Sequence, residues 1–557
     1  MSTGAAPGAA LLVVGRQSRD KTVGVLSIPS LHSTTDRRSM FTCKPGFTRT
    51  TGLVIVLGWS VASSLICGAT EIAAVRSAAD SVTVTDLRRH ASALADDTFE
   101  GREAGTRGGR AAAGYLEAEF KRIGLKPAGV RGSYFQVFDG NSRNILGLLE
   151  GSDPELKDQI IVAAAHYDHV GYGNARTSYG PTGYIHNGAD DNASGVSTLL
   201  EVAEACAKLD PRPKRSILFA LWDGEEKGLL GSKHWIAHPT IPLAKIRFDL
   251  NMDMVGRLRN NKMEVIGSRT ARGLRKIASL PNADEPIVLD FTWEIKNDSD
   301  HHPFYAANIP FLMPHTGLHS DYHRPSDDVE KLNIDGMRRI ARYMTGLAIN
   351  LADAPELPRF RAASHRDTKW NQPSSDSLLP PPPPRLGMYW NPKDTAAAGL
   401  KVERVAPGSA AAEAGIRAGD RLLSFDGQEI MHDTDLAAVV VTAKSPTPAQ
   451  IQRAGTEDPI DVTIKLRGAP TRLGLSWREE EAEPGSVKLV RVISSSLGAK
   501  AGLRPLDRIY GVNGKDFANS SELVKILADT PTPFSLSVER LGHVRTVEIG
   551  APQTAAK

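Results

Sequence analysis

Cysteine is nearly missing from this chain, with three in 557 residues, at positions 43, 67 and 206. Two stand beside an apolar N-terminal run and the third is alone, so neither a disulfide framework nor a CxxC metal site can be assembled. Any metal must be held by His, Asp and Glu. Net charge is lacking too: 67 Lys+Arg stand against 64 Asp+Glu, a balance of +3. No field of one sign is available to hold a polyanion, so neither nucleic acid nor an acidic membrane surface is an expected partner. A membrane-spanning run is also wanting. The N-terminal apolar run, Leu53 to Ile66, has 14 residues, short of the ~18 to 20 that cross a bilayer. Lys44 and Arg49 precede it and Cys67, Gly68 and Ala69 follow, which is the pattern of an export signal. The chain is therefore expected to be exported, periplasmic or extracellular. An uncleaved anchor is the alternative and the only membrane attachment expected; Met40 would be a natural start for such a signal.

The length allows about three domains at the usual ~100 to 200 residues each. Residues 357–384 lack apolar periodicity and end in five prolines, the composition of an extended, stiff linker. With residues 1–80 as an N-terminal extension, the linker separates a first block, 81–356, from a second, 385–557. The second block repeats itself at an offset of 87 residues: Arg385-Leu386-Gly387 returns as Arg472-Leu473-Gly474, Trp390 as Trp477, Asp420-Arg421 as Asp507-Arg508, and Arg453 as Arg540. So long a period exceeds that of solenoid repeats, and each copy, 385–471 and 472–557, is expected to be a small domain. Within a copy, β-type runs such as Leu400 to Val405 and Arg421 to Phe425 surround a short helical stretch, Ser409 to Ala414, that stops at Gly415. These copies resemble α+β PDZ domains in the strand order of bacterial envelope proteases. The resemblance implies a groove for C-terminal peptide tails, with Arg385 to Met388 and Arg472 to Leu475 in the place of the carboxylate-binding loop. Packing on the first block as spacers is the other expectation for them.

In the first block, Gln159 to Ala165 is a continuous apolar run, as a parallel strand covered on both faces requires, and His166-Tyr167-Asp168 follows it. His166 and Asp168 share a face at the strand's C-terminal end, where open α/β sheets place their sites. Asp168 there suits a hydrogen bond to the second ring nitrogen of a metal-bound His166. Asp190 and Asp191 open a helix whose Val196, Leu199, Leu200, Ala203 and Cys206 recur at helical spacing. A second apolar strand, Ser216 to Trp222, runs into Asp223-Gly224-Glu225-Glu226, a third ends in Asn251-Met252-Asp253, and a fourth, Ile309 to Pro314, leads to His323. Carboxylates directly after buried strands are out of place as idle surface charge. Together with two imidazoles they suit zinc or a similar divalent ion, and a shared carboxylate lets two ions sit ~3.5 to 4 Å apart.

The block resembles the secreted zinc aminopeptidases of clan MH, of the aminopeptidase Y and bacterial leucyl aminopeptidase type. The runs that carry the likeness are LADDTFEGREAGTRGGRAAAGYL from Leu94, AHYDHVG from Ala165, GADDNASG from Gly188, DGEEKGLLGS from Asp223, NMDMVG from Asn251, SDHHPF from Ser299 and DYHRPSDD from Asp321. It implies an α/β fold, a mixed and mostly parallel sheet sandwiched by helices. It implies two Zn2+, with His166 and Asp253 on one, Glu226 and His323 on the other and Asp191 bridging; Glu225 as general base; and Asp168 as the partner of His166. Asp190 is left as a turn residue. The implied activity is hydrolysis of peptide bonds, with release of N-terminal residues. Two alternatives are a glutaminyl cyclase, which shares the fold and works with one zinc, and a PDZ scaffold carrying an inactive peptidase domain. The short interval between Phe138 and Asn144 leaves no room for the protease-associated insertion of some relatives.

Overall fold

The computed structural model describes residues 73–283, 287–391, 397–431 and 434–551. The expected export signal at 53–66 lies outside them. In the first block, β1 (Lys126–Pro127), β2 (Phe135–Phe138), β3 (Ser142–Leu149), β4 (Ile160–His166), β5 (Ile217–Trp222), β6 (Ile246–Asn251), β7 (Lys262–Ile266), β8 (Val288–Phe291) and β9 (Phe311–His315) form one sheet. Its order is β1-β3-β5-β4-β6-β9-β7-β8, with β2 on β3. The central strands β5, β4, β6 and β9 are parallel; β3 and β7 run against their neighbours β5 and β9. This is the mixed, mostly parallel sheet expected.

Burial on both faces explains the unbroken apolar runs. Along β4 and β5, Ile161, Ala163, Phe219 and Leu221 enter one core, while Ile160, Val162, Leu218 and Trp222 enter another. The first core is completed by α1 (Val84–Leu94), α2 (Arg107–Ile123), α3 (Gly195–Ala207) and α7 (Ile334–Asp353), through Leu87, Leu116, Leu199 and Met344. The second is closed by α4 (Leu230–Ala237) and α6 (His301–Ala306), through Trp235 and Phe304; α5 (Leu274–Ser279) adds Leu274 and Ala278 to the first. Each fully buried large apolar side chain contributes about 1.5–3 kcal/mol, so these layers fix the strands and with them the rim that β4, β5 and β6 share. Cys206 is one of these buried core residues. Between β2 and β3 the chain turns back at once, Phe138 pairing with Ser142, which is why no insertion fits there.

The second block is two further small sheets, each with PDZ-like α+β architecture. One carries strands Met388–Trp390, Leu400–Val405, Arg421–Phe425, Thr447–Gln452 and Ile460–Ile464 with helix Leu436–Thr442; the other carries Leu475–Arg478, Val487–Val492, Arg508–Val512, Phe534–Arg540 and His543–Ile549 with helix Ser520–Asp529. The 87-residue repeat has a structural reason at its charged positions. Arg453 grips Asp420 with two bonds of 2.8 Å and donates to Gly415 O; Arg540 grips Asp507 and donates to Gly502 O in the same way.

The proline-rich stretch does not stand free as a spacer. Lys488 binds Ser375 and Asp376, and Leu379 N donates to Val490 O, so the stretch lies along the second PDZ-like sheet. Prolines have no N–H to give, but carbonyls and the residues before them still pair. No helix among the described residues is long and apolar enough to cross a membrane.

Candidate metal centre

The parallel register places the site. His166 ends β4 opposite Trp222 at the end of β5, and Ala164 pairs with Asn251 at the end of β6. The residues that follow, Glu225, Glu226 and Asp253, therefore emerge at the same rim as His166. Asp191 reaches it from the segment that opens α3, and His323 from the loop after β9.

All five proposed ligands converge. His166 Nε2 lies 3.3 Å from Asp191 Oδ1 and 3.4 Å from Asp253 Oδ1. His323 Nε2 lies 3.1 Å from Asp191 Oδ2 and 3.1 Å from Glu226 Oε2. Asp191 thus turns one oxygen to each histidine. Two groups with metal-ligating geometry result among the described residues: His166, Asp191 and Asp253, and His169, Asp191, Glu226 and His323, each with its donor atoms within 4.8 Å of one another.

The donor set fits divalent ions. Nε2 of His323 and Oδ1 of Asp253 are buried with no hydrogen-bond partner. Buried imidazole and carboxylate lone pairs facing one another about 3 Å apart are costly unless a cation or proton stands between them. The protein's own charges show the strain. Burial works against a charged His323, yet Asp191 and Glu226 outweigh it and lift its pKa to about 11. Burial likewise opposes ionisation of Asp191, and His166 and His323 overcome it, holding the carboxyl well below its ordinary range. Glu225 is pushed the other way, well above the ordinary carboxylate range, by burial and by Glu226, Asp300 and Asp253, against the pull of His166.

Asp168 serves two partners. Its Oδ1 accepts from Glu225 N at 3.0 Å and its Oδ2 from Glu226 N at 3.4 Å, while His166 Nδ1 lies 3.7 Å from Oδ1 and 3.2 Å from the Asp168 carbonyl. Asp190 stays apart from the two groups: Oδ1 accepts from Gly256 N at 2.6 Å and Oδ2 lies 3.0 Å from His319 Nε2.

Four supporting residues escaped the sequence reasoning. His169 puts Nδ1 2.7 Å from Glu226 Oε1; its place directly after Asp168 in AHYDHVG was the available signal. Asp327 accepts from the backbone N–H groups of Asp190 and Asp191 at 2.9 and 3.1 Å and pairs with Arg257 at 2.6 Å, fixing the shared carboxylate. Arg102, 1% exposed, donates to the carbonyls of Leu94, Tyr167, Asn187 and Gly188, sewing together the loops that carry Asp168 and Asp191. His319 holds Asp190. Beside the centre opens a cavity of about 500 Å3 lined by His166, Asp191, Glu225 and Asp253 on one side, with Tyr322, stacked 3.9 Å from the His323 ring, at its rim.

Residues 144–348 match peptidase family M28, and residues 401–453 match the PDZ domain. Aminopeptidase YwaD of Bacillus subtilis (strain 168) is 28% identical over 227 residues, covering 39% of this chain and 46% of that protein. Leucine aminopeptidase 1 of Trichophyton rubrum is 27% identical over 255 residues, covering 42% and 62%. The periplasmic pH-dependent serine endoprotease DegQ of Escherichia coli (strain K12) is 29% identical over 156 residues, covering 26% and 34%. The chain spans about half the length of the curated aminopeptidases it matches. The Legionella pneumophila LapA aminopeptidase superposes with a TM-score of 0.42 at 22% identity, covering 51% of this chain and 74% of that one. The chain therefore carries a peptidase family M28 domain over residues 144–348, followed by a PDZ domain over residues 401–453.

Proposed function

We propose that this chain is an exported di-zinc aminopeptidase. The observation that carries the reading is the shared carboxylate: two metal-ligating groups meet at Asp191, with Glu225 beside them in one cavity. His166 and Asp253 would hold one ion, Glu226 and His323 the other, and Asp191 both. When bound, such a pair polarises a scissile carbonyl and brings the pKa of a water toward ~7. Glu225, in its ionised form, would accept a proton from the attacking water and return it to the leaving amine. Asp168 keeps Glu225 and Glu226 in place through their backbone N–H groups. The aminopeptidase names of two relatives favour removal of residues from a free N-terminus.

Recruitment falls to the first PDZ module. A groove of about 1290 Å3 between the proline-rich stretch and the two modules runs past strand Met388–Trp390 and helix Leu436–Thr442, with Leu386, Met388 and Val440 of the first module and Leu475, Val490 and Val492 of the second among its walls, and suits a C-terminal tail added to the free edge of Met388–Trp390. Arg385 is spent on the carbonyls of Val440, Val441 and Ala443, leaving the loop's backbone to receive a carboxylate. Export is supported by the N-terminal signal pattern and by similarity to a periplasmic endoprotease.

The test is metal analysis joined to hydrolysis of aminoacyl-anilides. About two divalent ions per chain and activity lost on chelation are expected, and Glu225→Gln should keep its metal yet lose at least 100-fold in kcat, at the low end of what general-base catalysis contributes. Full turnover in that variant removes Glu225 from its role. Conversion of Gln-peptides to peptides that keep an N-terminal pyroglutamyl residue, with one ammonia lost per peptide and no free amino acid released, assigns the site to cyclisation.

A further inference from the structure

One wall of the substrate cavity is built on the second PDZ-like module. After β8 the chain runs without helix or turn over 292–296 and bends at 297–299; Thr292, Glu294, Lys296 and Asp298 line the cavity, while Phe291, Trp293 and Ile295 are not part of its lining and form the outer face. Two arginines cover that outer face. The Arg275 guanidinium lies 4.2 Å from the centre of the Phe291 ring and that of Arg269 3.7 Å from the centre of the Trp293 ring.

Arg275 is anchored in the second module, and Arg269 in the linker segment that precedes it, with Glu480 of the module close by. Arg275 binds Glu539 through Nε at 2.8 Å and through its terminal nitrogen at 3.2 Å, and its backbone N–H donates to Glu483 at 2.6 Å. Arg269 lies 3.8 Å from Glu480 and bonds Asp367 at 2.7 Å. Glu539 has no exposure and Glu483 only 3%, so these charges have no solvent to fall back on. The backbone is joined as well. Leu289 N on β8 donates to Leu541 O at 3.0 Å, Asn282 to Gly542 O at 3.0 Å, and Gly273 N to Ala482 O at 2.8 Å. At Gly542 (φ +83°) a Cβ would stand 2.4 Å from Leu289, so the turn presses on the strand as only glycine permits.

A recruiting module on a flexible tether needs none of this. We propose that the second PDZ-like module is a fixed part of the catalytic unit, in which Arg269 and Arg275 are positioning residues that hold the 292–298 wall against the substrate. The proposal rests on the aminopeptidase reading for what the cavity receives, but the mechanical coupling is independent of it. Paired charges withdrawn from water in an interface hold one geometry strongly, because breaking either partner strands the other. A shift of this wall changes substrate fit while leaving the metal ligands, on other loops, where they are.

The experiment uses the full chain with Arg275→Lys, which keeps the charge but loses the fork and the flat stack on Phe291. Glu539→Gln is the companion, and Lys276→Ala, which loses an exposed pair with Asp516 and a contact 5.4 Å from the centre of the Tyr510 ring, is the control for weak surface contacts across the same junction. Two readouts are taken: amide exchange across 288–298, and kcat and KM for leucine p-nitroanilide. The expected result for Arg275→Lys is exchange at least about tenfold faster in that segment, with KM raised about 2- to 30-fold while kcat and bound metal stay within about twofold of the parent. Lys276→Ala should match the parent. Should Glu539→Gln fail to fold, Arg275→Lys decides alone. Parental exchange and parental KM in folded Arg275→Lys overturn the proposal. If the parent itself hydrolyses no anilide, the aminopeptidase reading fails, and the exchange rates still decide the coupling.

Discussion

Gly188 is the position where one added methyl group should silence the centre without touching a ligand. It adopts φ +53°, and a Cβ there would stand 2.1 Å from Asp191 O and 2.5 Å from Cδ2 of His169. Contacts below 3.0 Å are essentially never made by real Cβ atoms, so the Asp191 peptide and the His169 ring must both move, by about an ångström. Two costs follow. The left-handed backbone costs an alanine about 1–2 kcal/mol of stability. The displacement acts on the carboxylate that both metal groups share, and misplacement on this scale at a reacting centre costs about 100-fold in rate, or about 2.7 kcal/mol of transition-state stabilisation. Gly124→Ala separates the two: it has φ +85° at the end of α2 with nothing within 4 Å of its Cβ, so it carries the backbone strain alone. The assay is kcat/KM on leucine p-nitroanilide together with bound metal and the denaturation midpoint of both variants. A loss of stability in both variants, larger in Gly188→Ala because of its clashes, with activity lost only in Gly188→Ala, is expected. Gly188→Ala at parental activity would refute the reasoning, since it would mean that the Asp191 loop yields without consequence.

Further expectations come from groups remote from the centre. Burial pushes the Glu201 carboxyl up to about 7, while the same group in the unfolded chain ionises near 4.5. Between those values the unfolded state binds fewer protons, so this group makes stability fall as pH rises; Glu201→Gln should match the parent below pH 4.5 and exceed it by about 3 kcal/mol at pH 8, read by denaturant midpoints. A variant no more stable than the parent at pH 8 would contradict the buried-acid argument. Asp420 is 2% exposed and held by Arg453, so Arg453→Met should destabilise the first PDZ module, and Arg540→Met the second, each leaving its buried carboxylate with only the backbone N–H of Arg417 or Arg504. Differential unfolding of the two modules measures it, and losses below about 1 kcal/mol in both would show the repeated pair to be ornamental to stability.

Residues of the candidate site were legible in the sequence because parallel strands announce themselves. A strand buried on both faces is apolar throughout, as β4 and β5 are, so the first polar residues after it stand out and must lie at the sheet's rim. His166, Glu225, Glu226 and Asp253 could be read in that way. Arg102, His169, His319 and Asp327 could not, because their meaning lies in partners far along the chain: Arg102 meets Gly188 86 residues on, and His169 meets Glu226 57 residues on. A buried arginine has no periodic signature, and His-x-Asp-His reads the same whether its last ring binds a cation, orients a carboxylate or merely packs.

The sequence by itself determined the chemistry available and the division of the chain. Three cysteines excluded thiolate sites, strand-end carboxylates and imidazoles supplied the alternative, and an exact 87-residue repeat declared two like modules, since a repeat is local information copied twice. Tertiary structure alone decided which modules move as one with the centre. The Arg275–Glu539 pair spans 264 residues, and Leu541 meets the edge of β8 through backbone atoms that every sequence possesses. Charge pairing and strand-edge bonding are chosen by proximity, which the order of residues specifies only through the folded whole, and so the docking of the second PDZ-like module on the substrate wall became visible only in three dimensions.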